Sequence, residues 1–159
     1  MSGILYGVGL GPGDPGLITV KSSRLISGAK VIAYPTLAGG KSFARVIAED
    51  LISPQAEEIV MDVPMTVERA PAQAAYDIGA KSIAAALDRG DDVICLCEGD
   101  PFFYGSFMYL YARLATDYQV EVVPGVTSIT ACAARAGMPL AARNERLTVL
   151  PGPLPAAEL

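Results

Sequence analysis

The stretch Asp92 to Met108, DVICLCEGDPFFYGSFM, decides the fold. Val93-Ile94-Cys95-Leu96-Cys97 is apolar throughout, too short for a helix and without a polar face, so it reads as a strand covered on both sides. It breaks at Glu98-Gly99-Asp100-Pro101, where glycine opens backbone angles that other residues avoid and proline has a fixed φ and no N–H. A helix then starts near Gly105-Ser106 and sets Phe107, Leu110, Tyr111 and Leu114 on one side. A buried parallel strand running into a glycine–acid–proline loop and then a helix is where open α/β sheets hold ligands. An ordinary tight turn accounts for the same residues, and the surrounding chain separates the two readings.

Downstream, Val120–Val123 reads as another strand. Pro124-Gly125 turns into a helix over Val126–Arg135, with Gly137 beyond its end. Upstream, Ala72–Arg89 is an alanine-rich helix closing at Gly90, after a polar loop from Pro64 to Pro71 that contains Met65. Before it come a strand at Glu58–Val63, a helix at Ser42–Ile52 with Phe43, Val46, Ile47 and Leu51 inward, and a strand at Lys30–Tyr34. The chain opens with a strand at Gly3–Gly9. A helix follows, N-capped by Asp14 with Pro15 first, carrying Leu17, Ile18, Leu25 and Ile26 and ending near Gly28. This alternation calls for an α/β fold, a five-stranded, mainly parallel sheet with helices on both faces. Leu147–Leu150 reads as one more strand.

The 159 residues suit one core of ordinary size. A net charge of −5 and the lack of any Lys/Arg cluster argue against nucleic acid as a partner. No apolar run is long enough to span a bilayer and no leader pattern is present, so the expectation is a soluble, cytoplasmic protein. Cys95, Cys97 and Cys132 have no CxxC spacing and read as buried free thiols, with no metal site. The absence of histidine removes His-based triads and the usual zinc catalysis.

Three loops at the carboxyl edge stand out: Gly9-Leu10-Gly11-Pro12-Gly13-Asp14, Glu98 to Phe103, and Pro124-Gly125-Val126-Thr127-Ser128. Their glycines allow close approach of a ligand to the backbone, and the next helix N–H groups and the Thr127 and Ser128 hydroxyls offer hydrogen bonds. A dinucleotide fingerprint fails, because GxGxxG started at Gly7 ends on Pro12 and started at Gly9 ends on Asp14. Gly40-Lys41-Ser42 imitates the end of a P-loop, but Pro35 stands where its first glycine belongs. That segment reads as a turn glycine, a solvated lysine and a helix cap.

These loops resemble the tetrapyrrole methyltransferases, the family that methylates corrin and siroheme precursors with S-adenosylmethionine. The first loop and the following Thr19-Val20-Lys21 resemble the family's GxGPGDPxLLTxK opening. Cys97–Phe103 resembles GGDPFxxG, and Val123–Ser128 and Gly137–Leu140 resemble VPGxTS and G-[IM]-P-L. Cys97–Leu110, Ala33-Tyr34-Pro35 and Val63-Pro64-Met65-Thr66 are most similar to members that act on precorrin-2 or cobalt-precorrin-2 at C20 in cobalamin synthesis. Uroporphyrinogen-specific members carry an acid, a suggested base, where Pro35 stands, and glycine where Glu98 stands. Another precorrin methylase, or a non-catalytic small-molecule-binding α/β module, are the alternatives.

The resemblance implies that the chain is the N-terminal half of a two-domain fold, with residues 1–146 as the N-terminal domain and 147–159 starting a second. It implies a homodimer, and it implies that these residues alone are inactive. S-adenosylmethionine, released as S-adenosylhomocysteine, is the implied cofactor, contacted by Pro12, Glu98, Gly99, Asp100, Phe103, Thr127 and Ser128. Gly11, Gly13, Asp14, Tyr34 and Tyr104 are implied on the substrate side, and no catalytic residue is assigned. Lys21, Arg24, Arg143 and Arg146 are candidates to meet substrate carboxylates. Phe102 reads as a core residue. Because the sulfonium is already activated, the enzyme's task is mainly alignment, worth ~7–11 kcal/mol in favourable cases.

Overall fold

The computed structural model describes residues 1–37, 40–64, 69–151 and 155. The chain forms two compact units, Met1–Ser128 and Ile129–Leu159. In the first unit the strands are β1 (Leu5–Gly9), β2 (Val31–Leu37), β3 (Glu57–Val63), β4 (Val93–Cys97) and β5 (Val120–Val123). Its helices are α1 (Val20–Ser27), α2 (Phe43–Ile47), α3 (Arg69–Asp88) and α4 (Phe107–Leu114). Every strand pair is parallel, in the order β3-β2-β4-β1-β5. β4 pairs on both edges and is covered on both faces, which is why its apolar run is unbroken and wholly buried.

The winding explains where a ligand fits. From β1 the chain moves along the sheet to β2 and β3, then reverses through β4 to β5. Right-handed crossovers therefore put α1 and α2 on one face and α3 and α4 on the other. One core joins Ile26, Ala44, Ile47 and Ala48 to Val8, Ile32, Ile94 and Leu96. The other joins Ile83, Leu87, Phe107 and Leu110 to Leu5, Val31, Val93 and Cys95. A Cβ on Gly7 would lie 2.3 Å from the Phe107 ring, so that glycine makes room for the largest fully buried side chain. Burying such a ring is worth about 1.5–3 kcal/mol. β1 and β4 are neighbours followed by helices on opposite faces, so their loops part beyond the carboxyl ends and leave a crevice.

Several elements differ from the sequence expectation. β2 runs on through Pro35 to Leu37; β4 pairs only with Val31, Ile32 and Ala33, so the far half of β2 is edge-like and carries a proline. The expected first helix is two elements. Asp14 caps only a short 3-10 turn at Pro15–Leu17, the chain extends at Ile18, and Thr19 caps α1 by accepting from the Ser22 N–H at 3.1 Å. The Ser42–Ile52 helix also breaks, at Ala48, into α2 and a 3-10 turn at Glu49–Leu51. Its buried stripe is Ala44, Ile47 and Ala48, so Phe43 and Val46 point outward, 52% and 47% exposed.

α3 begins at Arg69 rather than Ala72, with Pro71 in the first turn, where its missing N–H costs no helical bond. Phe102 is 47% exposed rather than core, and meets the half-exposed Tyr111 edge-on at a ring separation of 5.0 Å. Cys95 and Cys97 are buried as expected, but Cys132 is exposed. α5 (Ser128–Ala136) starts at the last residue of the first unit and otherwise belongs to the second, and Gly137 ends it at φ 65°. Leu147–Leu150 is exposed and forms no strand, with no neighbouring strand to complete its backbone bonds among the described residues. Met65 and Thr66 lie outside the described residues.

Candidate functional site

The loops after β1 and β4 are bonded to each other through the backbone, and a side chain ties the loop after β5 to them. Gly99 N–H donates to the Gly11 carbonyl at 2.8 Å, and Gly11 N–H returns a bond to Gly99 at 3.3 Å. Both glycines are left-handed, at φ 77° for Gly11 and 61° for Gly99, which an L side chain adopts only under strain. Asp100 makes the next link. One carboxylate oxygen accepts from Phe102 N–H at 2.9 Å within its own loop, and the other from Gly125 N–H at 3.0 Å in the loop after β5. Gly9, Gly99 and Gly125 approach so closely that a Cβ on Gly125 would sit 2.0 Å from the Gly99 oxygen. Ser22 fastens the first loop from below, donating to the Gly9 carbonyl at 2.9 Å.

Above these bonds lies a cleft of about 300 Å³, lined by Pro12, Phe43, Glu98, Gly99, Asp100, Phe103, Tyr104, Thr127 and Ser128. All seven residues expected at the cofactor line it, drawn from three loops, together with Tyr104 from the substrate set. Two carboxylates, three aromatic rings and three hydroxyls, that of Tyr104 included, belong to its lining, and no lysine or arginine does among the described residues. Glu98 is exposed at the mouth, yet neighbouring atoms desolvate its carboxyl and raise its pKa above the ordinary value. Tyr104 takes φ 54°, the one left-handed non-glycine among the described residues, and packs edge-on against Phe103 at 5.2 Å.

The other expected residues go elsewhere. Gly11 forms the bridge beneath the cleft. Gly13, at φ 133°, lies against the Phe43 ring, where a Cβ would come within 3.2 Å. Asp14 is exposed and occupied in capping. Tyr34 is buried in a different region, donating to Glu58, which also holds Arg45 through two bonds at 2.8 and 2.9 Å. Burial, then Glu58, raise the Tyr34 pKa, and hydrogen bonds from Arg45 and then Tyr34 lower that of Glu58. Lys21 is paired with Glu121, and Arg24, Arg143 and Arg146 are exposed.

Phe43 is the lining residue that sequence reasoning missed. The 44, 47, 48 spacing of Ala44, Ile47 and Ala48 is a complete helical stripe without it, and carried the signal. Phe43 also lines a second cleft of about 390 Å³ at the ends of β2 and β3, reached by Pro35, Lys41 and Glu98. No cluster of three metal-ligating side chains and no helix long and apolar enough to cross a membrane occur among the described residues.

The chain has relatives among known proteins and solved structures. A family model described as Tetrapyrrole (Corrin/Porphyrin) Methylases matches residues 4–159. The chain is 45% identical over 165 residues to the cobalamin biosynthesis protein CobIJ of Mycobacterium bovis, covering 99% of this chain and 32% of that protein. It is 42% identical over 171 residues to a precorrin-2 C(20)-methyltransferase of Sinorhizobium sp, covering 100% of this chain and 70% of the relative. A solved uroporphyrin-III C-methyl transferase from Thermus thermophilus, complexed with S-adenyl homocysteine, matches with a TM-score of 0.60 at 31% identity, over 89% of this chain and 51% of that one.

Proposed function

Because the chain belongs to the tetrapyrrole (corrin/porphyrin) methylase family, we propose that the protein is an S-adenosylmethionine-dependent C-methyltransferase acting on precorrin-2 or cobalt-precorrin-2 at C20 in cobalamin synthesis. The observation that carries this reading is the chemistry of the cleft: two carboxylates and three aromatic rings, with no cation among the described lining residues. Such a lining disfavours a phosphate-bearing nucleotide. It suits a ligand that carries positive charge on a sulfonium and an ammonium, through carboxylate attraction and aromatic faces. The 42% identity to a precorrin-2 C(20)-methyltransferase supports the choice of substrate within the family.

When bound, S-adenosylmethionine supplies an already activated methyl group. Pro12, Gly99, Thr127 and Ser128 offer backbone and hydroxyl contacts, while Phe43, Phe103 and Tyr104 enclose the ligand and thin the water around it. Asp100 acts chiefly through the loops, since both of its oxygens are engaged by backbone N–H groups. The protein's contribution is then orientation of two reactive partners, which suits a chain without histidine. The same reading divides the protein at residue 146 and makes the working enzyme a cytoplasmic homodimer.

The test is calorimetric titration of the full-length protein with S-adenosylhomocysteine, followed by methylation assays on precorrin-2, cobalt-precorrin-2 and uroporphyrinogen III. Saturable binding with turnover confined to the first two supports the proposal. Turnover of uroporphyrinogen III in preference contradicts the substrate, and binding without any turnover favours a non-catalytic module.

A further inference from the structure

Glu98 stands where the two clefts at the carboxyl edge meet. It lines the cleft of the three bonded loops and also the second cleft beyond β2 and β3, a double position that it shares only with Phe43 among the described residues. The other nearby carboxylates are committed. Asp100 holds two backbone N–H groups, and Glu58 is tied to Arg45 and Tyr34. Glu98 accepts no hydrogen bond and forms no ion pair among the described residues, and desolvation alone shifts its carboxyl upward. A carboxylate that shapes no loop, caps no helix and neutralises no cation has no structural task here. Its setting is that of a general base, at the boundary between one cleft suited to a cationic ligand and another walled by Leu37, Val63 and the Tyr76 ring.

We propose that Glu98 is the proton acceptor of the methyl transfer, with the ring carbon to be methylated presented from the second cleft. This rests on the function proposed above. Transfer of a methyl group to a meso carbon that already bears hydrogen leaves the ring one positive charge in excess, while the electron pair of the broken S–CH3 bond departs with the neutral thioether. Breaking the C–H bond returns its pair to the ring. The proton passes to a Glu98 carboxylate oxygen and from there to solvent, so atoms and charge balance with one methyl gained and one proton released.

Glu98→Gln and Glu98→Asp in the full-length protein test it. S-adenosylhomocysteine affinity, measured by calorimetry, is expected to fall by no more than about tenfold in Glu98→Gln, as the cleft loses one carboxylate's attraction for the ammonium, and by less in Glu98→Asp, which keeps the charge. The single-turnover methylation rate of Glu98→Gln is expected to fall by about 100-fold or more. In wild type the rate should rise with pH through a value above the ordinary glutamate range, since only the ionised carboxylate accepts a proton. That limb should shift in Glu98→Asp and vanish in Glu98→Gln. The titratable groups lining the clefts with Glu98 are Asp100 and Tyr104 in one and Lys41 and Tyr76 in the other. A limb that persists in Glu98→Gln assigns it to one of them and overturns the proposal. So does an unchanged rate, or an affinity loss as large as the rate loss, which makes Glu98 a ligand-holding group. A wild-type protein that neither binds S-adenosylhomocysteine nor methylates removes both proposals. Wild-type turnover with an equally fast Glu98→Gln removes this one alone.

Discussion

The loop after β4 and the loop after β2 leave the same edge of the sheet from neighbouring strands, and both combine glycine with polar residues. They spend those groups differently. After β2, the Ser42 hydroxyl donates to the Pro35 carbonyl at 2.7 Å and accepts from Arg45 N–H at 3.3 Å, Thr36 donates to the Gly40 carbonyl at 2.8 Å, and Gly40 N–H donates to Leu37 at 2.7 Å. Every one of these bonds closes within the segment from Pro35 to Arg45. After β4, Asp100 also accepts from Phe102 N–H within its own loop, but the bonds of Gly99 and the second Asp100 oxygen run to Gly11 and Gly125 in other loops. A segment satisfied internally is a turn and a helix cap. A segment satisfied by its neighbours joins them into one wall, and here that wall carries the cleft.

The largest expected effect breaks that wall. Gly125→Ala forces a methyl group to 2.0 Å from the Gly99 oxygen, and the obstacle is backbone that cannot rotate away. Overpacking of this kind costs about 1–3 kcal/mol or more, so Gly125→Ala should lower the melting temperature and abolish S-adenosylhomocysteine binding. Gly40→Ala is the control, because its Cβ meets Leu37 at 3.2 Å and small adjustment suffices. Equal behaviour of the two variants in differential scanning calorimetry and ligand titration would erase the distinction between the loops.

Asp100→Ala removes a side chain that bonds the loop after β4 to the loop after β5. A hydrogen bond to a charged group is worth about 1.5–3 kcal/mol, so cofactor affinity should fall by about one to two decades. Unchanged affinity in a folded Asp100→Ala protein would show that the loops hold their shape without it. Ser42→Ala should behave in the opposite sense. Losing an N-cap costs about 1 kcal/mol, visible as a lower denaturation midpoint, while S-adenosylhomocysteine affinity stays at the wild-type level. The smallest effect is expected for Lys41→Ala, with activity near wild type and no ATP binding before or after the change. A magnesium-dependent ATP affinity abolished by that substitution would turn the loop after β2 into the ligand loop.

The elements that sequence reveals most directly are those fixed by burial. Val93–Cys97 is apolar at every position because β4 is central, and its boundaries follow from the residues alone. The cleft residues were legible because glycines and small polar residues recur at three strand ends, and parallel winding brings those ends to one edge. What escaped was decided by competition between neighbours. Thr19 caps α1 because its hydroxyl reaches Ser22 while Asp14 is engaged by Gly16, a choice that apolar periodicity does not register. Phe43 looks like core by composition, but the smaller Ala44 and Ala48 occupy the buried stripe and turn the ring into the cleft. Tyr34 sits beside the right strand end, yet the Arg45–Glu58 pair draws its hydroxyl away. The strand order, which creates the crevice between β1 and β4, follows from long-range pairing that no local pattern states.

Hydrogen–deuterium exchange of the full-length protein with and without S-adenosylhomocysteine shows whether the three bonded loops hold the ligand, because it reports where the ligand protects the backbone. Slowed exchange is expected in three separate segments, around Gly11, around Gly99 to Tyr104 and around Gly125 to Ser128, with the segment from Thr36 to Arg45 unchanged apart from the amide of Phe43. Protection centred on Gly40 to Ser42, or confined to one of the three loops, would contradict it.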